Sequence, residues 1–521
     1  MTVSHTRSGI FFTLLVAISC SLVLVQCRKE KFTTDSSSML EFSRDTIFFD
    51  TVFSTVGSTT QYLKVRNNHD ESIKISEIVL ETGSNSQYRI NVDGLDGPQT
   101  DVEILPNDSI FIFVEVTIDP ADAGLPFIVE DNLRFITNGN VQRVVLQAWG
   151  QDAHFHGGLN SCSDPFSEII TGSEIWGDEG DDLPHVIYGI IAVDEGASLT
   201  IAAGTQVYCH GKSGIYVFKG QLHVEGELGN EVVFQGDRLE PGYANISGQW
   251  GIQLDCPIET GVGPTIASII RGGIWLYQSA GSTIDYAIIK NGNMGIQVDT
   301  TDAPLSGSNF ALKITNTKIT NMAGIGIWGQ GGSIKGQNLL VANCGQSCAY
   351  FSIGGKYQMD NCTFGNYWSD NSRTAPAFAL NNYYEDVDHN LNVRPLVNCD
   401  FNNCIMFGNN AFLTDFSEFV VDINTDAPVD YVFRHCLVDT DSNVDDGGEG
   451  HFVSMNNGLG PYLCDPANGN FKVSSNEPVM QGAFTGAEDP LTFDIEGNAW
   501  SGIPLKGCYT FNGNGGDNPC D

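Results

Sequence analysis

Between Asn316 and Asn366 apolar and polar positions alternate in short runs, and three of them share one six-residue form: NTKITN (316–321), NLLVAN (338–343) and NCTFGN (361–366). Each has Asn at both ends and an apolar residue fourth, and the leading Asn residues stand 22 and then 23 positions apart. YAIIKN (286–291), NCDFNN (398–403) and RHCLVD (434–439) are looser copies. The alternation and the Ile, Val, Thr and aromatic content between Gly and Asn breaks mark each run as strand. A strand-based repeat of this length predicts a solenoid, here a right-handed parallel β-helix whose coils pair with the coils above and below. The fourth-place residues Ile289, Ile319, Val341, Phe364, Phe401 and Leu437 are expected to point inward and stack. Asn at the sixth place tolerates the left-handed backbone of a sharp corner, and stacked Asn amides can hydrogen-bond along the solenoid. A β-sandwich with chance Asn spacing is the alternative; two Asn columns keeping step argue against it.

Residues 41–152 have another texture, with strand runs such as DTIFFDTVF (45–53), KISEIVLE (74–81), SIFIFVEVTID (109–119) and QRVVLQAWG (142–150) but no Asn ladder. About seven strands a dozen residues apart predict an immunoglobulin-like sandwich, with Trp149 in its core. The chain is thus expected to be all-β: signal segment 1–26, tether 27–40, Ig-like β-sandwich 41–152, linker and N-terminal cap 153–184, β-helix 185–460, C-terminal capping segment 461–521.

Composition narrows the partners. A formal charge of −38, with 25 Lys and Arg in 521 residues, repels phosphate backbones and excludes nucleic acid as a natural ligand. His5 and Arg7 precede an uncharged apolar run (10–25), the pattern of an export signal, with an uncleaved anchor as the alternative. Leu24-Val25-Gln26-Cys27 and the polar stretch after it resemble a bacterial lipobox, with Gln26 in place of the usual small residue; Cys20 is the second choice. The resemblance implies lipidation at Cys27, a membrane tether through that lipid, and an outer-membrane lipoprotein of the cell envelope, expected to be a monomer.

Two further resemblances concern fold. The VRNN turn, LPNDSIFIFVEVTIDP and VVLQAWGQ resemble the Ig-like modules called ASH or choice-of-anchor domains, which serve as spacers or docking domains. VDEGASLTIAAGTQVYCHGKSGIYVFKGQLHVEGELGNEVVFQGD with GQWGIQL after it resembles the opening coils of extracellular β-helix proteins of the pectin-lyase-like superfamily. GNFKVSSNEPVMQGA (468–482), DIEGN (494–498) and KGCYTF (506–511) resemble in part the segment that closes the last coil in such proteins, without its Arg and with Trp500 near that place. Together these suggest a Bacteroidota-type envelope lipoprotein. Asp45-Thr46-Ile47, Asp50-Thr51-Val52 and Asp108-Ser109-Ile110 resemble O-glycosylation acceptor sites of such proteins.

Candidate chemistry is sparse. Cys362 and Cys399 share the second place of the repeat and could stack at disulfide distance, with free buried thiols as the alternative. Cys344 and Cys348 lack the second pair that a zinc site needs. His154 and His156 form an H-x-H pair with no third ligand nearby in sequence. Catalysis on a β-helix requires a convergent base or a close acid pair. Lys290 and Lys318 are expected to point to solvent, and no Asp pair recurs at one repeat position, so the reading leans against an enzyme. The best candidate site is the insertion between Asn366 and Asn403. There Tyr383 and Tyr384 could stack on sugars, Glu385, Asp386, Asp388 and His389 could bind hydroxyls or calcium, and Arg394 could meet a carboxylate. DTDSNVDDGGEG (439–450) fails the EF-hand pattern but leaves Asp439, Asp441, Asp445 and Asp446 as weak metal candidates. No cofactor is implied beyond such a calcium ion. Trp250, Trp275 and Trp328 are expected in packing roles. Three functions follow from the sequence: an envelope protein whose β-helix binds a glycan or other surface component, a polysaccharide lyase or glycoside hydrolase on that scaffold, or a structural or adhesive surface protein.

Overall fold

The computed structural model describes residues 31–521 apart from 54–56, 119–126, 159–160, 261–262, 300–308, 410–416, 445–449, 459, 476, 481–483, 486–490, 501–504, 512–519 and 521. Cys20, Cys27, Asp445 and Asp446 lie outside the described residues. The chain forms two compact units, the first ending at Asp152 and the second starting at Ala153.

The first unit is an antiparallel sandwich closed by one parallel pair. One sheet contains Gln61–Arg66, Ser109–Val116 and Tyr88–Val92; the other contains Thr46–Phe53, Asn140–Gln151, Phe127–Thr137, Ile73–Leu80 and Gln99–Ile104, with Thr46–Phe53 parallel to Asn140–Gln151. Alternation sends Leu63, Ile75, Ile112, Val114, Leu133, Phe135 and Leu146 into one core. Trp149 departs from expectation. It follows inward-facing Ala148 and is 39% exposed, because unbroken alternation along Asn140–Gln151 puts it on the outward side with Val145 and Gln147.

The second unit is a parallel β-helix of three sheets visited in turn. Sheet one runs from His154–Gly157 to Asn456–Asn457, sheet two from Glu168–Ile170 to Phe419–Asp422, and sheet three from Ser173–Trp176 to Phe452–Val453. Residues 154–176 supply the first coil, so the stretch expected to be linker and cap is already solenoid. Two antiparallel hairpins leave the coils: Gln253–Thr260 with Gly263–Ile270, and Tyr383–Glu385 with Leu391–Val393.

The Asn pattern has the predicted cause. Asn316, Asn338, Asn361 and Asn403 all have φ between 48° and 57°, as do the closing residues Asn321 and Asn343, at 57° and 52°. Their amides form coil-to-coil bonds, Asn338 Nδ2 to Asn316 Oδ1 at 2.7 Å and Asn321 Nδ2 to Asn291 Oδ1 at 2.8 Å.

Ile289, Ile319, Val341 and Phe364 stack inward in one column. The column then continues through Met406 and Val438, not through Phe401 and Leu437. Two insertions separate Asn361 from its true successor Asn403, and NCIMFG, not NCDFNN, is the next copy. Phe401 is buried in sheet three beside Met359 and Phe433. Leu437 pairs with Ile405, one place before the inward position, and packs outside the coil.

The same shift rules out a Cys362–Cys399 disulfide, since Cys399 lies in a sheet-three strand while Cys362 sits at the corner before a sheet-one strand, and free buried thiols are the outcome. Cys362 stacks with Cys404 and Cys436, and all three are free and buried. Disulfides join Cys162 to Cys256 and Cys464 to Cys520.

Among the described residues, the C-terminal segment packs along the side of the solenoid. Phe471, Val473, Met480, Ile495, Leu505 and Tyr509 cover the outward side of sheet one over Leu340, Ile405 and Leu437. It runs alongside several coils, from Lys318, which lies 4.0 Å from Glu496, to Asn456, which bonds Lys506. Lys318, expected in solvent, therefore lies under this segment. The physical reason is that outward positions of sheet one are apolar and need cover.

Asn338→Ala should destabilise the chain by about 2 kcal/mol, from left-handed strain and the lost amide bond, and Asn338→Gly by less, read in urea unfolding. Thiol titration of the chain from residue 28 should detect no free thiol when native and eight in denaturant, the number of free cysteines. Burial raises the pKa of Cys209, Cys348, Cys399, Cys404, Cys436 and Cys508. Unfolded thiols ionise near pH 9 while these six stay protonated, so their stabilisation is intact below pH 9 and lost as pH rises. A steep fall in unfolding temperature between about pH 9 and 10.5 is expected, on the order of 1 kcal/mol per thiol per pH unit.

Candidate functional site

Strand alternation on sheet two points Ile215, Ile274, Ile327 and Phe351 into the core and sends the residues beside them outward. In strict register this builds an outward column of Tyr216, Trp275, Gln297, Trp328, Tyr350, Ala379 and Val420. A second column beside it contains Phe218, Tyr277, Asp299, Gln330 and Ser352, with Asn381 and Asp422 further along. Parallel strands repeat every ~4.8 Å, so Tyr216 to Tyr350 spans about 19 Å.

The rings contact one another. Tyr216 and Trp275 have centroids 4.6 Å apart, Phe218 and Tyr277 stack at 6.0 Å, and Trp328 and Tyr350 stack at 6.3 Å. Polar atoms alternate with them. Trp275 Nε1 donates to Asp299 Oδ2 at 2.7 Å, Gln297 Nε2 donates to Asp299 Oδ1 at 2.9 Å, and Trp328 Nε1 donates to Ser352 Oγ at 3.1 Å. Arg271 lies over the Trp275 ring at 5.3 Å. Burial raises the Asp299 pKa, opposed by its two hydrogen bonds and by Arg271.

Around Trp328 and Tyr350 the face deepens into a groove of about 720 Å³. Its floor is the outward side of sheet two, and its wall is the corner segments carrying Asn293, Met294, Ala323, Ile325 and Pro376. Asn381 and Asp422 form its polar end, where Asn381 Nδ2 donates to the Tyr350 hydroxyl at 3.3 Å. Trp275 and Trp328 are thus half-exposed surface residues, not packing residues. Of the three, Trp250 alone is core: it is 1% exposed, its Nε1 donates to Lys290 O, and Gly273 leaves room for its ring. Alternation within IWLY and IWGQ was the sequence signal for the other two, since each Trp follows an inward Ile.

The insertion residues fall at one end of this groove. Tyr383 donates its hydroxyl to Asp422 at the groove's polar end, and that bond raises its pKa. The other candidates are engaged within the hairpin. Asp386 accepts from the backbone N–H groups of Asn390 and Asp388 and from the Asn392 amide, and the Asn390 bond leads in lowering its pKa. Glu385 pairs with His389, while Asp388 and Arg394 are exposed. Tyr384 is half-buried.

At the acidic stretch, burial and the nearby Glu418 and Asp441 raise the Asp439 pKa. Among the described residues Asp439 and Asp441 belong to no trio of His, Cys, Asp or Glu close enough to share an ion. The one such trio is His156 with Glu168 and Glu174, so the H-x-H strand does gain further ligands, from later strands of the same coil. His154 instead bonds Asp181 at 3.1 Å.

The sequence matches no protein-family profile and no curated protein. Among solved structures, the catalytic unit of a thermostable GH87 alpha-1,3-glucanase from Streptomyces thermodiastaticus shares 11% identity over 76% of this chain and 78% of that one, with a TM-score of 0.28. An ASH/PapD-like domain of human CEP192 shares 12% identity over 25% of this chain and 94% of that one, at 0.16. A family 123 glycoside hydrolase from Clostridium perfringens shares 10% identity at 0.17, and the match spans 26% of its length. Likenesses this distant carry no statement about activity.

Because Asp299 accepts the Trp275 indole proton, its protonation should change Trp275 fluorescence. The transition is expected above the ordinary carboxylate range, and Trp275→Phe or Asp299→Asn should each remove it.

Proposed function

We propose that this chain is a lipid-anchored cell-envelope protein that holds an extended glycan along the outward side of sheet two without cleaving it. The observation that carries the reading is the outward column of half-buried rings, interrupted by Gln297, that leads into the groove. The C–H face of a sugar ring is apolar and its rim is polar, so a track of flat rings edged by Asp, Gln, Ser and Asn suits both. Strand spacing is close to the length of one sugar unit, so successive coils can meet successive sugars. The Tyr383 hairpin would flank the reducing or non-reducing end of the bound chain. Tethering at Cys27 is supported by the apolar run before it and the lipobox-like Leu24-Val25-Gln26. Among the described residues no helix is long and apolar enough to cross a membrane.

A hydrolase is the second reading, favoured by one observation: Asp299, with its raised pKa, has the character of a general acid. The carboxylate on the same outward column, Asp422, stands four strand steps away, about 19 Å, where glycosidase pairs need roughly 5–9.5 Å. That distance favours binding over cleavage.

The test uses the chain from residue 28 with neutral and acidic polysaccharides, reading both retention and release of reducing or unsaturated ends. Retention without product is expected, with Trp328→Ala and Tyr350→Ala each weakening it about 10-fold. Product that vanishes in Asp299→Asn would establish the hydrolase instead.

A further inference from the structure

The solenoid begins with charged groups at positions that its next coil fills with core. His156 is in register with Ile187, Glu168 with Ile191, and Glu174 with Leu199. Those three apolar partners are fully buried in the central core. Register partners in a parallel stack share a side of their sheet, so the imidazole and both carboxylates face the helix axis, one from each sheet. Trp176 lies beside them, 1% exposed, its ring stacked on His156 at 4.0 Å. Two inward carboxylates at the edge of an apolar core repel each other and lose hydration. Among the described residues neither has a Lys or Arg partner.

Each of the three side chains is already held by its far atom. Glu168 Oε2 accepts the Gly157 N–H at 2.8 Å, and Glu174 Oε1 accepts the Trp176 indole N–H at 2.7 Å. His156 Nε2 shares a hydrogen bond of 2.8 Å with His185 Nδ1. The His185 side chain is fully buried, and its Nε2 has no hydrogen-bond partner, with Glu179 Oε1 3.5 Å away. This leaves His156 Nδ1 and Glu168 Oε1, 3.8 Å apart, and the second oxygen of Glu174. One ligand atom from each of the three residues lies within 4.8 Å of the others. Metal bonds of about 2.0–2.2 Å at tetrahedral angles place ligand atoms about 3.4 Å apart, so side-chain shifts of about an ångström close the set on an ion.

We propose that His156, Glu168 and Glu174 bind one zinc-like divalent transition-metal ion, which ties together the first strands of the three sheets of the β-helix. An imidazole nitrogen with two carboxylates is a zinc donor set; calcium takes six to eight oxygens, more than this end offers. His185 is a positioning residue. Its bond to His156 Nε2 leaves Nδ1 as the coordinating atom, the role of an outer partner of a metal-bound histidine. The ion neutralises the inward carboxylates at the one place where no earlier coil can cover the core.

The experiment strips the purified chain with chelator and titrates it with zinc chloride, reading bound metal and unfolding temperature, then repeats it with cobalt(II) and with calcium. One zinc per chain is expected, raising the unfolding temperature by several degrees, and cobalt should give visible d–d absorption. His156→Ala should abolish both effects. The double variant Glu168→Gln, Glu174→Gln removes the repulsion, so it should fold without metal and bind none. His185→Ala should bind about 10-fold more weakly while keeping the cobalt spectrum. Absence of zinc uptake by the stripped chain, equal uptake by the double variant, or a response to calcium alone would each overturn the proposal.

Discussion

Backbone hydrogen bonding of each coil to the next is the constraint on which the β-helix depends. Parallel pairing fixes not only that strands are adjacent but which residue sits on which, so every position becomes a member of a column. A residue that must turn a corner does so at the same place in successive coils. The left-handed Asn316, Asn338, Asn361 and Asn403, with their coil-to-coil amide bonds, are that requirement in side-chain form. Inside, the same registry stacks Phe401 on Phe433 at 4.4 Å and Phe378 on Phe419 at 5.7 Å. Many small ring and aliphatic contacts are thereby aligned along one axis.

The outward columns have different fates because their chemistry differs. On sheet one Leu340, Ile405 and Leu437 are apolar, and the chain's own C-terminal segment covers them. On sheet two the column is aromatic with a polar edge, and around Trp328 and Tyr350 it lines a groove. Rings with polar rims tolerate water on one side and an apolar ligand face on the other. The aromatic column of the proposed binding track is therefore a product of strand alternation and registry, and corner segments that include Pro376 wall its groove. The hairpin at Tyr383 adds only an end to it.

The ends of a solenoid break the column rule, since the first coil has no predecessor. His156, Glu168 and Glu174 occupy core columns there, and an ion shared among them would substitute for the missing coil. The buried cysteines belong to the opposite case. Cys362, Cys404 and Cys436 fill a corner column inside the stack, free, buried and apart from the two disulfides.

By itself the sequence determined that the second unit is a coil of parallel strands, because a corner that needs left-handed backbone leaves Asn at a fixed spacing. It also determined the sandwich before it, through strand alternation between turn residues. It could not keep register across the insertions at 367–377 and 382–395, since a loop of any length returns to the same column; Phe401, Leu437 and the Cys362–Cys399 pairing were misplaced for that reason. Which outward columns are covered, where Trp275 and Trp328 point, and which strands bring Glu168 and Glu174 to His156 were decided by tertiary structure alone. Those neighbours are a full sheet or a full coil apart in the chain, and only closure of the coil brings them within reach.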